Sequence, residues 1–366
     1  MKILWLTWKD LKHPQAGGAE RVNEELAKRL VRNGDEVIFL VAGFPGAKDE
    51  EIVDGYKIIR VGGRWTVYWK AYRYYTNNLQ GWADLVIDEV NTMPFFAKFY
   101  MQEKNILFVH QLCREIWFYQ MFFPLSNIGY ALEPHYLRAL SDREVITVSQ
   151  STKKDLLKLG FKEDKIRIIS EGIDIEPAVN LENIVKYKKP VLLSFGSVRE
   201  MKRTDHIVKA FEIVKERNPD LELIIAGDYD NPFGKKIVRM IRESKYADAI
   251  TILGKVSKGK KIELFQKSHI LIVTSVKEGW GLVVTEAGSQ GMPAIVYDVD
   301  GLRDSVRHDE TGLICKKNSP EMMAENIGLM LRDKLLYERV RRNAWQWSKE
   351  VNFERTLEEF KGYINN

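Results

Sequence analysis

Ile270-Leu271-Ile272-Val273-Thr274, followed by Lys277-Glu278-Gly279-Trp280-Gly281-Leu282-Val283-Val284-Thr285-Glu286-Ala287-Gly288, is the stretch from which the fold is read. The first five residues form a short apolar run, as expected of a strand buried on both faces. Two glycines then flank Trp280, and a helix is predicted to start near Leu282. Strand, glycine loop and helix in that order make half of a parallel α/β unit. The glycines let backbone N–H groups approach a ligand, and a helix N-terminus favours an anion.

The same alternation extends in both directions. Strands are predicted at Ile3–Thr7, Glu36–Val41, Lys57–Val61, Asp84–Ile87, Ile106–Val109 and Val145–Val148, then at Val191–Phe195, Leu221–Ala226, Ile250–Leu253, Ile270–Thr274 and Ala294–Tyr297. Ala19–Asn33 reads as a helix, because Val22, Leu26, Leu30 and Val31 share a face and Gly34 suits its stop. The segment Ile175–Lys189, with Pro177, Asn180 and Lys186–Lys189, suits neither element and reads as a linker. The fold class is therefore α/β, with two Rossmann-like, doubly wound domains of parallel sheet facing across a cleft. Their expected bounds are 1–180 and 187–350, and a C-terminal helix within 351–366 is expected to pack back on the first domain. Ligands of such sheets bind at the carboxyl ends of the strands.

The 366 residues carry 56 Lys+Arg against 51 Asp+Glu, a net charge of +5. Residues 1–180 hold 24 of each sign, so the excess lies entirely in the second half. That is too little for a nucleic-acid partner and fits a small anionic ligand on that half. Cys113 and Cys315 have no C-x-x-C companion, which argues against a disulfide framework or zinc site and suits a reducing cytosol. No secretory signal is visible, and the longest uncharged stretch, Ile116–Leu132, contains Gln120, Pro124, Ser126 and Asn127, so it does not suit a membrane span. Asp228–Asp230 and Asp298–Asp300 read as turn-capping aspartates rather than metal ligands, and no metal is assigned.

Several motifs, taken together, resemble the retaining glycosyltransferases of family 4, which have the GT-B fold. They are the glutamate-rich stretch above, Ala16-Gly17-Gly18-Ala19-Glu20-Arg21, Val148-Ser149-Gln150-Ser151, Gly172-Ile173-Asp174, Phe195-Gly196-Ser197 through Lys202, Asp300-Gly301-Leu302-Arg303-Asp304 and Thr311-Gly312-Leu313. The match runs in order from Met1 to about Ser348. It implies a hexosyltransferase that moves a sugar from a nucleotide diphosphate donor, most simply a UDP- or GDP-sugar, to a glycan or lipid-linked hydroxyl, with no other cofactor.

By that resemblance Glu286 holds the ribose hydroxyls and Glu278 contacts the donor sugar. The amides of Gly279, Trp280, Gly281 and Leu282 meet the sugar and β-phosphate, and Lys202 grips the diphosphate. Ser197 stands where the family carries an arginine, so Arg199 is its substitute, ranked below Lys202. Glu171 stands where asparagine is usual. His110 matches the active-site histidine, and Gly17 and Gly18 offer amides to the leaving phosphate or room for the acceptor. Without the resemblance, Glu286 reads as a first-turn helix glutamate and His110 as a structural histidine.

Aromatic residues crowd the first half, notably Trp65, Tyr68, Trp69 and Tyr72 at helical spacing and Trp117, Phe118, Tyr119, Phe122 and Phe123 after His110. They suit a sugar-stacking groove, ordinary core, or a peripheral membrane contact through Trp117–Phe123 on the cytoplasmic face. Two other functions stay open at this point: a GT-B nucleotide-sugar epimerase or phosphorylase-like enzyme, and a non-catalytic protein that binds sugars or lipid head groups.

Overall fold

A computed structural model describes residues 1–365 and divides them into two compact units, Met1–Gly172 with the C-terminal segment from Phe353, and Ile173–Asn352. The first contains an eight-stranded sheet built from β1 (Lys2–Leu6), β2 (Glu36–Val41), β3 (Glu50–Val53), β4 (Tyr56–Arg60), β5 (Leu85–Glu89), β6 (Lys104–Val109), β7 (Val145–Thr147) and β8 (Ile166–Ile168), in the order β3-β4-β2-β1-β5-β6-β7-β8. The second has six strands, β9 (Val191–Phe195), β10 (Glu222–Ala226), β11 (Ile250–Leu253), β12 (Ile270–Val273), β13 (Ala294–Tyr297) and β14 (Gly312–Cys315), in the order β11-β10-β9-β12-β13-β14. All pairings are parallel except β3 with β4.

In each unit the winding reverses beside the first strand. β1 lies between β2 and β5, and β9 lies between β10 and β12. At such a point the loops after the two central strands diverge to opposite faces, which opens a crevice at their carboxyl ends. The central strands need apolar cover on both sides. Trp5 of β1 is fully buried against Phe39 (5.2 Å) and Phe108 (5.8 Å) and stacks on Phe360 (6.2 Å) of the helix Phe353–Ile364. That last helix is fastened to the first unit by Arg29–Glu354 (2.9 Å), by Lys361–Asp35 (3.1 Å) and by Glu359, which accepts from the Ser170 amide and hydroxyl at 2.8 Å each.

The structure differs from the sequence reading in three places. The division falls after Gly172, and Ile175–Lys189 is not a free linker. Ile175 and Leu181 are buried, the Ala178 amide donates to the Ser289 carbonyl (2.9 Å), and Lys186 Nζ donates to the carbonyls of Ser268 (2.7 Å) and Gly291 (3.0 Å). The segment is polar because it trades its hydrogen bonds with loop ends of the second unit. The first sheet is also mixed: β3, Glu-Glu-Ile-Val, is an antiparallel edge strand whose charges mask its pattern. The short strands β8 and β14 went unpredicted as well, the former with three residues and the latter opening on Gly312.

Candidate active site

The carboxyl ends of β9 and β12 flank the switch point of the second unit, and they carry the residues singled out from sequence. After β9 the chain makes a single turn, Glu200–Lys202, whose last carbonyl accepts from Thr274 Oγ1 (2.8 Å) just beyond β12. This tie brings the two loops together. Lys202 Nζ forms an ion pair with Glu278, and Glu278 also accepts from Ser275 Oγ at 2.6 Å. A cation chosen for diphosphate and a carboxylate chosen for sugar hydroxyls thus neutralise each other.

Glu278 is fixed through its backbone too. Its amide donates to the Asp300 carbonyl (3.0 Å), and a Cβ on Gly301, whose φ is +79°, would lie 2.3 Å from the Glu278 carbonyl oxygen. Only glycine permits that approach. Asp300 is taken up by Lys277 (2.7 Å) and Arg303, and Asp298 by Arg303 (2.8 Å). Burial pushes the Asp300 carboxyl up, but Lys277 and Arg303 outweigh it and hold the group below its ordinary value. Among the described residues there is no cluster of three His, Cys, Asp or Glu side chains that could hold a metal ion.

The helix Leu282–Ser289 begins where the sequence placed it, with Gly281 at its N-cap in the left-handed region (φ +91°). Glycine brings no capping side chain and the first turn contains no acidic residue; the Val284 amide turns back to the Gly281 carbonyl (2.8 Å), and the amides before it, at the positive end of the helix, are suited to an anion. Trp280 turns aside: its Nε1 donates to Thr285 Oγ1 (2.9 Å) and its ring lies 6.0 Å from that of Trp347. Arg199 is exposed, and its charge acts on Asp228. Asp228 is held low first by the Asp230 amide and then by Lys255, with Arg199 adding to the effect.

Glu286 is buried and paired with Lys261 Nζ at 2.6 Å. The Lys261 ammonium sits over the rings of Phe195 (5.4 Å) and Phe265 (5.7 Å), which anchor it. None of the sequence motifs includes Lys261. The available signal was its spacing in the helix Lys258–Lys267, where it shares a face with buried Leu264 and Phe265.

The first unit gathers its candidates at the carboxyl ends of β1, β5, β6 and β8. His110 follows β6, its ring stacks on Phe108 at 4.3 Å, and its carbonyl accepts from Thr152 Oγ1 (3.2 Å). Nδ1 meets Glu171 Oε1 at 2.7 Å, and Nε2 lies 3.7 Å from Glu89 Oε1. Gly17 caps the helix Gly18–Arg32, but its amide donates to Glu20 Oε2 (2.6 Å), and Glu20 pairs with Lys9 (3.1 Å). That amide is therefore spoken for by a carboxylate. Gly17 and Gly18 themselves are exposed.

The aromatic clusters divide between core and surface. Trp117, for which groove, core and membrane contact were all open, is core: its Nε1 donates to Glu133 (3.2 Å), and its indole fills the space a Cβ on Gly129 would take, 2.4 Å away. Glu133 also accepts from the amides of Cys113 (2.6 Å) and Arg114 (2.7 Å), so it holds the loop after His110; sequence reading missed it. Phe122 and Phe123 stay exposed, at 70% and 78%. Tyr68 packs on Phe95 (4.8 Å) and Tyr72 on Tyr100 (5.0 Å), whereas Trp65 and Trp69 are exposed.

Known proteins with this architecture show what such a frame supports. The family model described as Glycosyltransferase Family 4 matches residues 16–177, and that described as Glycosyl transferases group 1 matches 180–347. An uncharacterized glycosyltransferase of Haemophilus influenzae is 23% identical over 95% of this chain and 96% of its own length. Among solved structures, sucrose-phosphate synthase from Thermosynechococcus elongatus superposes with a TM-score of 0.81 at 18% identity, covering 100% of this chain and 98% of that one. Anabaena HepE in complex with UDP-glucose gives 0.76 at 15% identity, with 100% and 99% covered.

Proposed function

We propose, for a chain that belongs to glycosyltransferase family 4 and is a GT-B glycosyltransferase, that it moves a hexose from a UDP- or GDP-sugar to a hydroxyl of a glycan or lipid-linked acceptor with retention of anomeric configuration. The observation that carries this reading is the set Lys202, Glu278, the helix N-terminus at Gly281 and buried Glu286, all at the switch point of one sheet. A nucleotide diphosphate sugar supplies a matching partner for each: phosphates for the lysine and the amides, hydroxyls for the two carboxylates. HepE, whose structure contains UDP-glucose, supports this donor class.

On this reading the second unit holds the donor and the first the acceptor. The acceptor oxygen bonds to the anomeric carbon on the face from which the diphosphate departs. The bond from that carbon to the phosphate oxygen breaks, its electron pair leaves with the diphosphate, and the acceptor proton passes to that phosphate oxygen. No protein base is needed. Lys202, the amides of Gly279–Leu282 and, more weakly, Arg199 stabilise the departing charge through preorganised electrostatics. Glu278 receives the hydroxyls of the sugar once Lys202 turns to phosphate, and His110 serves the transferred sugar. The test is release of nucleoside diphosphate from UDP-, GDP- and ADP-sugars with and without glycan acceptors. Acceptor-stimulated release from one base class is expected. Release that ignores every acceptor would sink the transferase reading.

We place the enzyme in the cytoplasm with a lipid-linked acceptor reached peripherally. Phe122, Phe123, Leu125, Ile128 and Leu132 are all exposed, the last three along one face of the helix Leu125–Ala139. Among the described residues no helix is long and apolar enough to cross a membrane. The double variant Phe122→Ser/Phe123→Ser is expected to reduce co-sedimentation with anionic liposomes at least tenfold while keeping its melting temperature. Equal sedimentation of the two proteins would remove the membrane contact.

A further inference from the structure

We infer that Glu171 is a positioning residue for the transfer reaction: it accepts the His110 Nδ1 proton, which fixes the ring's orientation and, in the protonated ring, leaves Nε2–H as its one free donor edge. This rests on the reading that His110 serves the transferred sugar. The geometry is specific. Glu171 Oε1 lies 2.7 Å from Nδ1, both side chains are buried, and the Phe108 ring stacked at 4.3 Å prevents the imidazole from tilting away. Nε2 has no hydrogen-bond partner, and neither has Glu89 Oε1, 3.7 Å from it. Both are buried, where an unpaired polar atom carries a penalty. The other oxygen of Glu89 is saturated by Trp5 Nε1 (3.0 Å) and Asn23 Nδ2 (2.5 Å), so this carboxylate cannot rotate to satisfy itself. The pair Nε2 and Oε1 is a donor and an acceptor of the right spacing to hold one hydroxyl between them.

The charged groups around the imidazole come from four segments: Glu171 after β8, Glu89 from β5, Glu20 from the helix Gly18–Arg32, and Lys9, which pairs with Glu20. The neighbouring helix Gln150–Lys158 adds the neutral Thr152 hydroxyl. Burial alone would drive the proton off His110, but Glu171 first, then Glu89 and Glu20, outweigh it and raise the group above its ordinary value. The sign follows: the imidazolium persists as pH rises through the ordinary histidine range and is lost only above it, so activity that needs Nε2–H declines on the alkaline side.

Glu171→Gln keeps the size and removes the charge. The expected result is that its alkaline limb of kcat/KM moves to lower pH by about one unit or more, with the melting temperature little changed. Nitrogen-15 NMR of the wild type, which does not depend on any variant folding, should show Nδ1 protonated throughout and a His110 midpoint above about 6.5. An unshifted limb in Glu171→Gln, or an Nε2-protonated neutral tautomer in the wild type, overturns the inference. His110→Asn separates the two claims. If it leaves turnover intact while the NMR titration is as expected, the placement of His110 in the reaction fails and Glu171 has no reaction to position.

Discussion

Glu286→Ala is expected to weaken donor binding about a hundredfold. Two vicinal hydroxyls donating to one buried carboxylate each contribute about 1.5–3 kcal/mol, and a total near 3 kcal/mol corresponds to about two orders of magnitude in Kd. The buried setting adds to the loss, because Lys261, 2.6 Å from the carboxylate, would be left without this counter-ion. Titration calorimetry with the donor or with the free nucleoside diphosphate reads the effect. The loss should appear with both, since both carry the ribose. A deficit seen with the sugar nucleotide alone would assign Glu286 to the sugar, and an unchanged Kd would remove it from the site.

Lys202→Ala should act on the chemical step. A cation aimed at charge that develops in the transition state lowers kcat by about 10²–10³ when removed. Two features of the structure push the expectation to the upper end. Glu278 loses its counter-ion and would then repel the diphosphate, and the loop tie through Thr274 Oγ1 holds the turn in place, so the loss of charge is not relieved by movement. The Lys202 side chain is about a quarter exposed, so stability should change little. Saturating kinetics together with a melting curve separate the outcomes. A normal kcat with a raised KM would make Lys202 a ground-state binder. A large fall in melting temperature would make it structural. The double variant Lys202→Ala/Glu278→Gln should recover part of the loss.

Much of the second unit was legible in advance because its signals are local. The strand Ile270–Val273, the loop glycines and a helix starting at Leu282 come from neighbouring residues, and the structure puts them where periodicity and backbone freedom require. The unpredicted strands were short or charged, and β3 needs its partner β4 to be a strand at all. Trp117 stayed open between core and surface because a run of aromatics does not say which ring is covered. Gly129 and Glu133, on the next helix, decide that.

The sequence by itself determined the alternation of strands and helices and the two-unit organisation, and it singled out Lys202, Glu278 and Glu286 as candidates. These are properties of residue type and short spacing. Only the tertiary structure decided the pairings, because they join residues far apart in the chain: Lys202 with Glu278, Lys261 with Glu286, and Glu171 with His110. Parallel strands bring loop ends from distant segments to one edge, and a buried charge must be matched by whatever those loops supply. Spacing along the chain contains no record of which partner that will be.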